Sequence, residues 1–336
     1  MNNQSSSLDL SHFPVMLNEV IKISSASKGG KFIDCTFGGG SYSKQLLKFP
    51  NTLVKGLDRD KTVNIIAKKL ENKFPSRFKF YQVKFSKLDT VSSDFVDAII
   101  FDLGLSSIQL NDFERGFSFK SSKNLDMSMG LSQISAKDVV NNLSEINLKL
   151  IIKILGEEKE ASRIAKNIIK FRSEKKITKV NELVEIIKKS KKKNYASKIN
   201  PCTKTFQALR IFVNKEITEL INGVINATKI LKPGGKILVI SFHSIEDKIV
   251  KYLFSNFSAN KSKPSRYFPD IETDNIALFE EYKNKIIKPT KKEIDQNYPS
   301  RSAKLRYAIR SENKFRYPVK LLDKFKKYLD LEGIDV

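Results

Sequence analysis

Apolar residues gather along the chain in two kinds of pattern. Short, nearly continuous apolar runs at "KFIDCTF" (31–37), "LVKGLD" (53–58), "FKFYQVKF" (78–85), "VDAIIFDLG" (96–104) and "KILVISF" (236–242) read as strands. Segments with apolar positions at threes and fours separate most of them, and that alternation predicts a doubly wound α/β fold: a parallel sheet with helices on both faces. Residues 105–235 divide the fourth strand candidate from the fifth, far more chain than one crossover helix needs, so an extra domain is expected there. Within it "SAKDVVNNL", "NLKLIIKILG", "EKEASRIAKNIIKFRSE" and "KVNELVEIIKKS" carry helical spacing, and the insert is expected to be all-helical. The expected division is residues 1–110 with 205–336 as one discontinuous domain, and 111–204 as the insert. The insert ends at the lysine-rich "KKSKKKNYASKINP", before one long helix predicted from Thr203 to about Leu231. Phe206, Leu209, Val213, Ile217, Leu220 and Val224 form its buried stripe. Beyond His243 the chain predicts a further helix, a polar stretch, and two more strands at "KNKIIKPT" and "AKLRYAIR". No internal repeat appears.

Composition narrows the function classes. The 336 residues suffice for about two domains of ordinary size. No apolar run reaches the roughly 18–20 residues a bilayer span needs, so a membrane protein is not expected. The N-terminal "MNNQSSSLDLSHF" has no basic start or apolar middle, which argues against export. Cys35 and Cys202 are too few for a disulfide framework and lack metal-ligand spacing, which fits a reducing cytoplasm. The balance of 61 Lys+Arg against 37 Asp+Glu gives a net charge of +24, favouring a polyanionic partner such as nucleic acid. A genome-wide bias toward Lys, Asn, Ile and Phe would produce the same excess, so charge alone does not decide.

The stretch "FIDCTFGGGSYSKQLL" reads as strand, glycine turn, helix. Such a bare turn can hold a nucleotide phosphate, a dinucleotide, or an adenosine cofactor without phosphate. A phosphate-binding P-loop requires Lys and Ser/Thr directly after its glycines, and "GGGSYSKQ" lacks them. The G-x-G-x-x-G spacing fits better: Gly38 and Gly40 match and Ser43 replaces the third glycine. Asp58 falls twenty positions after Gly38, where a carboxylate accepts hydrogen bonds from ribose hydroxyls. Enzymes using NAD and enzymes using S-adenosylmethionine share this pattern. "KILKPGGKILVIS" resembles the approach to the fifth strand of class I methyltransferases, which favours S-adenosyl-L-methionine.

With "FDLGLSSIQLNDFERGFSFKSSKNLDMSMG" after the fourth strand, the chain closely resembles the MraW/RsmH family, methyltransferases of cytosine N4 in bacterial small-subunit ribosomal RNA. The matching stretches run in order through "HFPVMLNEVI", "DCTFGGGSYS", "LDRD", "PCTKTFQALRIFVNKE", "LKPGGKILVISFHSIEDKIVK", "KPTKKEI" and "SRSAKLR". The resemblance implies a class I methyltransferase sheet with a helical insert after the fourth strand. It also implies methylation of a 16S ribosomal RNA cytidine in the decoding region, the P-site. Cofactor contacts implied by the motifs are Gly40, Ser41, Tyr42, Asp58, Phe85, Asp102 and Gln109. Ser41 stands where the family usually has glycine.

The chemistry of such a transfer points to particular residues. Cytosine N4 is a poor nucleophile because its lone pair is delocalised, and a proton must leave as the methyl arrives. Asp102, at the carboxyl end of the fourth strand, is the expected catalytic residue, with contact to the cofactor alone as the alternative. Phe117 and Phe119 are candidates to stack on an extruded base or to pack in the core. Arg115 is expected to meet a phosphate or pair with Glu114. Gln207, Arg210 and Asn214 form a polar helical stripe expected to face the cleft. The Lys188–Lys198 run is a candidate RNA-phosphate patch. Pro201 and Cys202 match the nucleophile dipeptide of cytosine C5 methyltransferases, but the motif precedes a long helix here and the covalent reading fails on context. Cys35 is expected in packing. His243 ends the fifth strand with no second ligand at metal spacing, so no metal is expected. Glu246 and Asp247 are expected to begin the next helix. Two competing classes are an NAD-dependent oxidoreductase and an inactive RNA-binding protein of methyltransferase fold. The expected protein is cytoplasmic, acts on 16S ribosomal RNA or the assembled small subunit, and is a monomer or homodimer.

Overall fold

In the computed structural model, which describes residues 14–92, 95–191, 200–260 and 277–336, the apolar runs pair into one six-stranded sheet. Its strands are β1 (Gly30–Asp34), β2 (Thr52–Asp58), β3 (Phe78–Gln82), β4 (Val96–Asp102), β5 (Leu231–Ser241) and β6 (Lys304–Ile309), in the order β3-β2-β1-β4-β5-β6. The first five are parallel, and β6 runs antiparallel to β5 at the edge. Successive residues of a strand point to opposite faces. Ile33, Leu57, Ile99, Phe101, Ile237 and Val239 accordingly join one buried cluster, and Phe32, Val54, Ala98, Ile100, Leu238 and Ile240 the other. Burial on both faces explains why these strands read as continuous apolar runs. The fold is the Rossmann-like, doubly wound class I methyltransferase arrangement, with its carboxyl-terminal strand ends gathered at one edge.

Between β4 and β5 the chain forms helices at Ala136–Asn142, Glu145–Leu155, Ala161–Glu174 and Val180–Ser190. Ser135 and Ser144 cap the first two through their hydroxyls, Ser135 with Asp138 in a reciprocal capping box. Their apolar faces close onto the same buried cluster as one face of the sheet. Residues 192–199, most of the lysine-rich run, lie outside the described residues.

Two expected elements differ. The helix predicted from Thr203 to Leu231 is two helices, Thr203–Asn214 and Glu216–Ile230, separated by Lys215 in the left-handed region at φ 51°. The carboxylate of Glu332, from the C-terminal helix Val319–Glu332, accepts from the amides of Ile217 and Thr218 at 2.9 and 2.8 Å and so caps the second helix. "KNKIIKPT" is not a strand: only Ile287 makes a bridge, to Leu305 of β6, and Pro289 has no N–H with which to extend it. Among the described residues, no helix is long and apolar enough to cross a membrane.

Candidate active site

The glycine turn leaves β1 at Asp34, which is fully buried beneath it. Asp34 accepts from the Ser43 hydroxyl at 2.8 Å, and burial raises its pKa to about 6 despite that hydrogen bond. Gly38 and Gly40 both take positive φ, 49° and 72°. A Cβ at Gly40 would also come within 2.7 Å of the Phe37 ring, so this position is closed to side chains twice over. Asp58, at the end of β2, accepts from Gly38 N at 2.8 Å and from Asp60 N at 2.9 Å. Burial outweighs those bonds and raises its pKa to about 6. Ser41 opens the short helix Ser41–Leu46 outside the positive-φ set, so a residue other than glycine is accommodated there without backbone strain.

Asp102 ends β4 on the floor of the same cleft. Its backbone N–H donates to Thr36 Oγ1 at 2.8 Å, tying the fourth strand to the turn after the first. The Tyr42 hydroxyl lies 2.5 Å from Val15 O and 3.1 Å from Asp102 Oδ2, and its single proton serves one of them at a time. Asp102 Oδ1 is buried without a hydrogen-bond partner. Burial raises the Asp102 pKa to about 8; the Tyr42 hydroxyl opposes this, while Asp34, Glu246 and Glu293 add to it. In the loop beyond, Ser106 and Gln109 form a capping box, and Gln109 Nε2 donates to Asp60 Oδ2 at 2.9 Å.

The remaining wall comes from Arg59, Phe85, Glu216, Glu219 and Leu220, together with Phe242, Glu246, Asn297 and Pro299. Arg59 donates to Asn214 O at 2.9 Å and Ser132 Oγ at 3.0 Å. Burial lowers its pKa against the pull of Glu219 and Glu216.

Six of the seven cofactor positions implied by the sequence, Ser41, Tyr42, Asp58, Phe85, Asp102 and Gln109, line this one cleft. Gly40 supports the turn from behind. The substrate candidates are placed elsewhere. Arg115 pairs with Asp60 at 2.5 Å rather than with Glu114, donates to Ser128 O and lies over the Phe117 ring, so its guanidinium is spent inside the fold. Glu114 pairs instead with Lys123. Phe117 is buried in the core cluster, and Phe119 packs edge-on against Phe206. Gln207 reaches Leu155 O at 3.3 Å, and Arg210 is forked onto Glu216 at 2.8 and 2.9 Å. Asn214 is buried, accepting from Met129 N and the Ser132 hydroxyl and donating to Met127 O and Arg210 O. None of these six lines the cleft. Cys202 is fully buried beside Val184 O and does not line the cleft, and Cys35 is buried at the cleft.

Sequence spacing hid the surroundings of His243. Glu246 and Glu216 each bring a carboxylate oxygen into one cluster with it, all within 4.8 Å. Both Glu216 oxygens are taken by the Arg210 fork, and His243 Nε2 sits 3.1 Å from Glu246 Oε1. Asp34, Arg59, Glu216 and Glu219 were missed. The acid inside "FIDCTFGGG" and the pair of acids in "NKEITEL" are the local signals that mark three of them.

Residues 9–311 match the MraW methylase family. A ribosomal RNA small subunit methyltransferase H from Ehrlichia ruminantium (strain Welgevonden) is 41% identical over 308 residues, covering 89% of this chain and 99% of the relative. The protein of that name from Bartonella quintana (strain Toulouse) is 42% identical over 323 residues, 96% of each chain. Among solved structures, an rRNA methylase from Streptococcus thermophilus aligns with 8% identity and a TM-score of 0.39, over 87% of this chain and 96% of its own. Matched across most of its length and by relatives at this identity, the chain belongs to the MraW methylase family.

Proposed function

We propose that the protein transfers a methyl group from S-adenosyl-L-methionine to N4 of a cytidine in the decoding region of 16S ribosomal RNA. Membership of a methylase family, and the relatives' naming as small-subunit ribosomal RNA methyltransferases, establish the coarser activity. The observation that carries the finer reading is Asp102: a half-buried carboxylate lining the cleft, with one buried, unpartnered oxygen and a pKa raised to about 8. A carboxylate so displaced is a far better proton acceptor than one in water, which suits the weakly basic exocyclic amine of cytosine.

The residues present fit the cofactor, because unpartnered polar atoms of Asp102, Arg59 and Glu219 border a cleft whose glycine turn leaves backbone close at hand. Bound S-adenosylmethionine supplies an electrophilic methyl on a sulfonium, whose positive charge also favours an ionised carboxylate nearby. Asp58 keeps lone pairs free for the ribose hydroxyls while fixing the turn through Gly38 N. Asp102 accepts the N4 proton, and the Tyr42 hydroxyl steadies its charge. Residues 111–204 serve as the RNA-recognition module on a methyltransferase domain of residues 1–110 and 205–336. Exposed Lys149, Lys153, Lys166, Lys170, Lys176 and Lys188 support contact with phosphates. The cytoplasm, where the small subunit is assembled, is the compartment this substrate requires.

The test is methylation of small subunits, and separately of naked 16S RNA, from cells lacking the gene. Mass spectrometry of nuclease fragments should show N4-methylcytidine at one position. Methyl on cytosine C5, or on another base, would refute the assignment.

A further inference from the structure

Buried polar atoms are rarely left without partners, because each costs the desolvation of the group. Beyond Asp102, two such atoms border the cleft: Arg59 Nε, a donor, and Glu219 Oε2, an acceptor. Both belong to the wall that carries Asp58 and Phe85. Arg59 directly follows Asp58, and its other guanidinium nitrogens are anchored on Asn214 O and Ser132 Oγ, which fixes the plane and leaves Nε over. Glu219 is itself only 7% exposed and sits one turn before Gly223, where a Cβ would come within 2.6 Å of the Phe85 ring. The aromatic therefore lies directly against the helix that presents Glu219. The other Glu219 oxygen, Oε1, is 3.7 Å from Lys84 Nζ, while Oε2 has no partner. Leu220 lines the cleft beside it.

A fixed donor and a fixed acceptor next to an aromatic ring and a leucine form a slot for a flat heterocycle, read along one edge. Adenine offers the complementary pair, an exocyclic amino donor adjoining a ring-nitrogen acceptor. We propose that Glu219 Oε2 accepts from the amino group of the cofactor's adenine while Arg59 Nε donates to the neighbouring ring nitrogen, so that these two residues select adenine over other purines. The inference rests on the reading above that the adenosine half occupies the Asp58 side of the cleft. With hypoxanthine in place of adenine, an oxo group replaces the amine and faces the Glu219 carboxylate, leaving the acceptor unpaired and opposed by like polarity.

Calorimetry on the full chain with S-adenosylhomocysteine and S-inosylhomocysteine tests this. Wild type should bind the adenosine compound about 10- to 100-fold more tightly, the range expected for one hydrogen bond to a charged group. Glu219→Ala should weaken S-adenosylhomocysteine by that factor and leave S-inosylhomocysteine within about threefold, abolishing the preference. Glu219→Gln, which keeps a carbonyl acceptor and the side-chain volume, should retain part of it. Equal weakening of both compounds in Glu219→Ala, or no preference in wild type, overturns the proposal while the cofactor site stands. Failure of wild type to bind either compound overturns the placement of the cofactor as well.

Discussion

Glu332 offers a sharp test of whether burial or hydrogen bonding governs the acids of this protein. Its carboxylate accepts from Ile217 N, Thr218 N and the Thr218 hydroxyl, all favouring the charged form at a helix N-terminus. Yet it is 1% exposed, and burial outweighs those bonds to raise its pKa from 4.5 to about 7. The folded protein then holds this proton more tightly than the unfolded chain does. The associated stability is fully present below pH 4.5 and is lost as pH rises through 7. At about 1.36 kcal/mol per pKa unit the full loss is about 3 kcal/mol. Glu332→Gln keeps one acceptor oxygen and cannot ionise, so it should resemble the protonated wild type near pH 5 and lack this slope. Urea unfolding of both proteins between pH 5 and 8 measures it, since titration of Asp34, Asp58 and Asp102 cancels in the difference. The gap should move by about 2–3 kcal/mol in favour of the variant over that range. Parallel curves, or a shift in favour of wild type, would show that the helix amides hold the carboxylate ionised and that the argument from burial is wrong.

Three further outcomes follow from the same geometry. With Asp102 raised to about 8, the single-turnover methylation rate should climb nearly tenfold per unit between pH 6 and about 8 and then level. Asp102→Asn should remove that limb and slow transfer by about 10²- to 10⁴-fold, and a wild-type profile in the variant would take Asp102 out of proton transfer. Asn214→Ala strips four hydrogen bonds from a buried side chain and should cost about 2–4 kcal/mol in urea unfolding, with a loss under about 1 kcal/mol contradicting the bracing role. Cys202→Ala should methylate at the wild-type rate, whereas a dead but folded variant would restore the covalent reading of the Pro201-Cys202 dipeptide.

What was legible in the sequence was what short-range pattern encodes. All six strands, the glycine turn, Asp58 across from it and the helices between β4 and β5 follow from periodicity, spacing and caps that neighbouring residues determine. The placement of polar side chains did not follow, because their partners are distant. Arg115 has Glu114 beside it in sequence, but its guanidinium reaches Asp60, which Gln109 also contacts. Lys215 shows the limit most clearly. The apolar positions Phe206, Leu209, Val213, Ile217, Leu220 and Val224 keep helical spacing straight through it, so no local signal marks a break. The break is held from elsewhere, by Glu332 at the far end of the chain and by the Arg210–Glu216 fork across the junction. Gln207, Arg210 and Asn214, before the turn, bind the protein itself, whereas the acids of the next helix, Glu216 and Glu219, line the cleft. The C-terminal helix therefore acts on the site without touching it, by fixing where the helix that carries Glu219 begins.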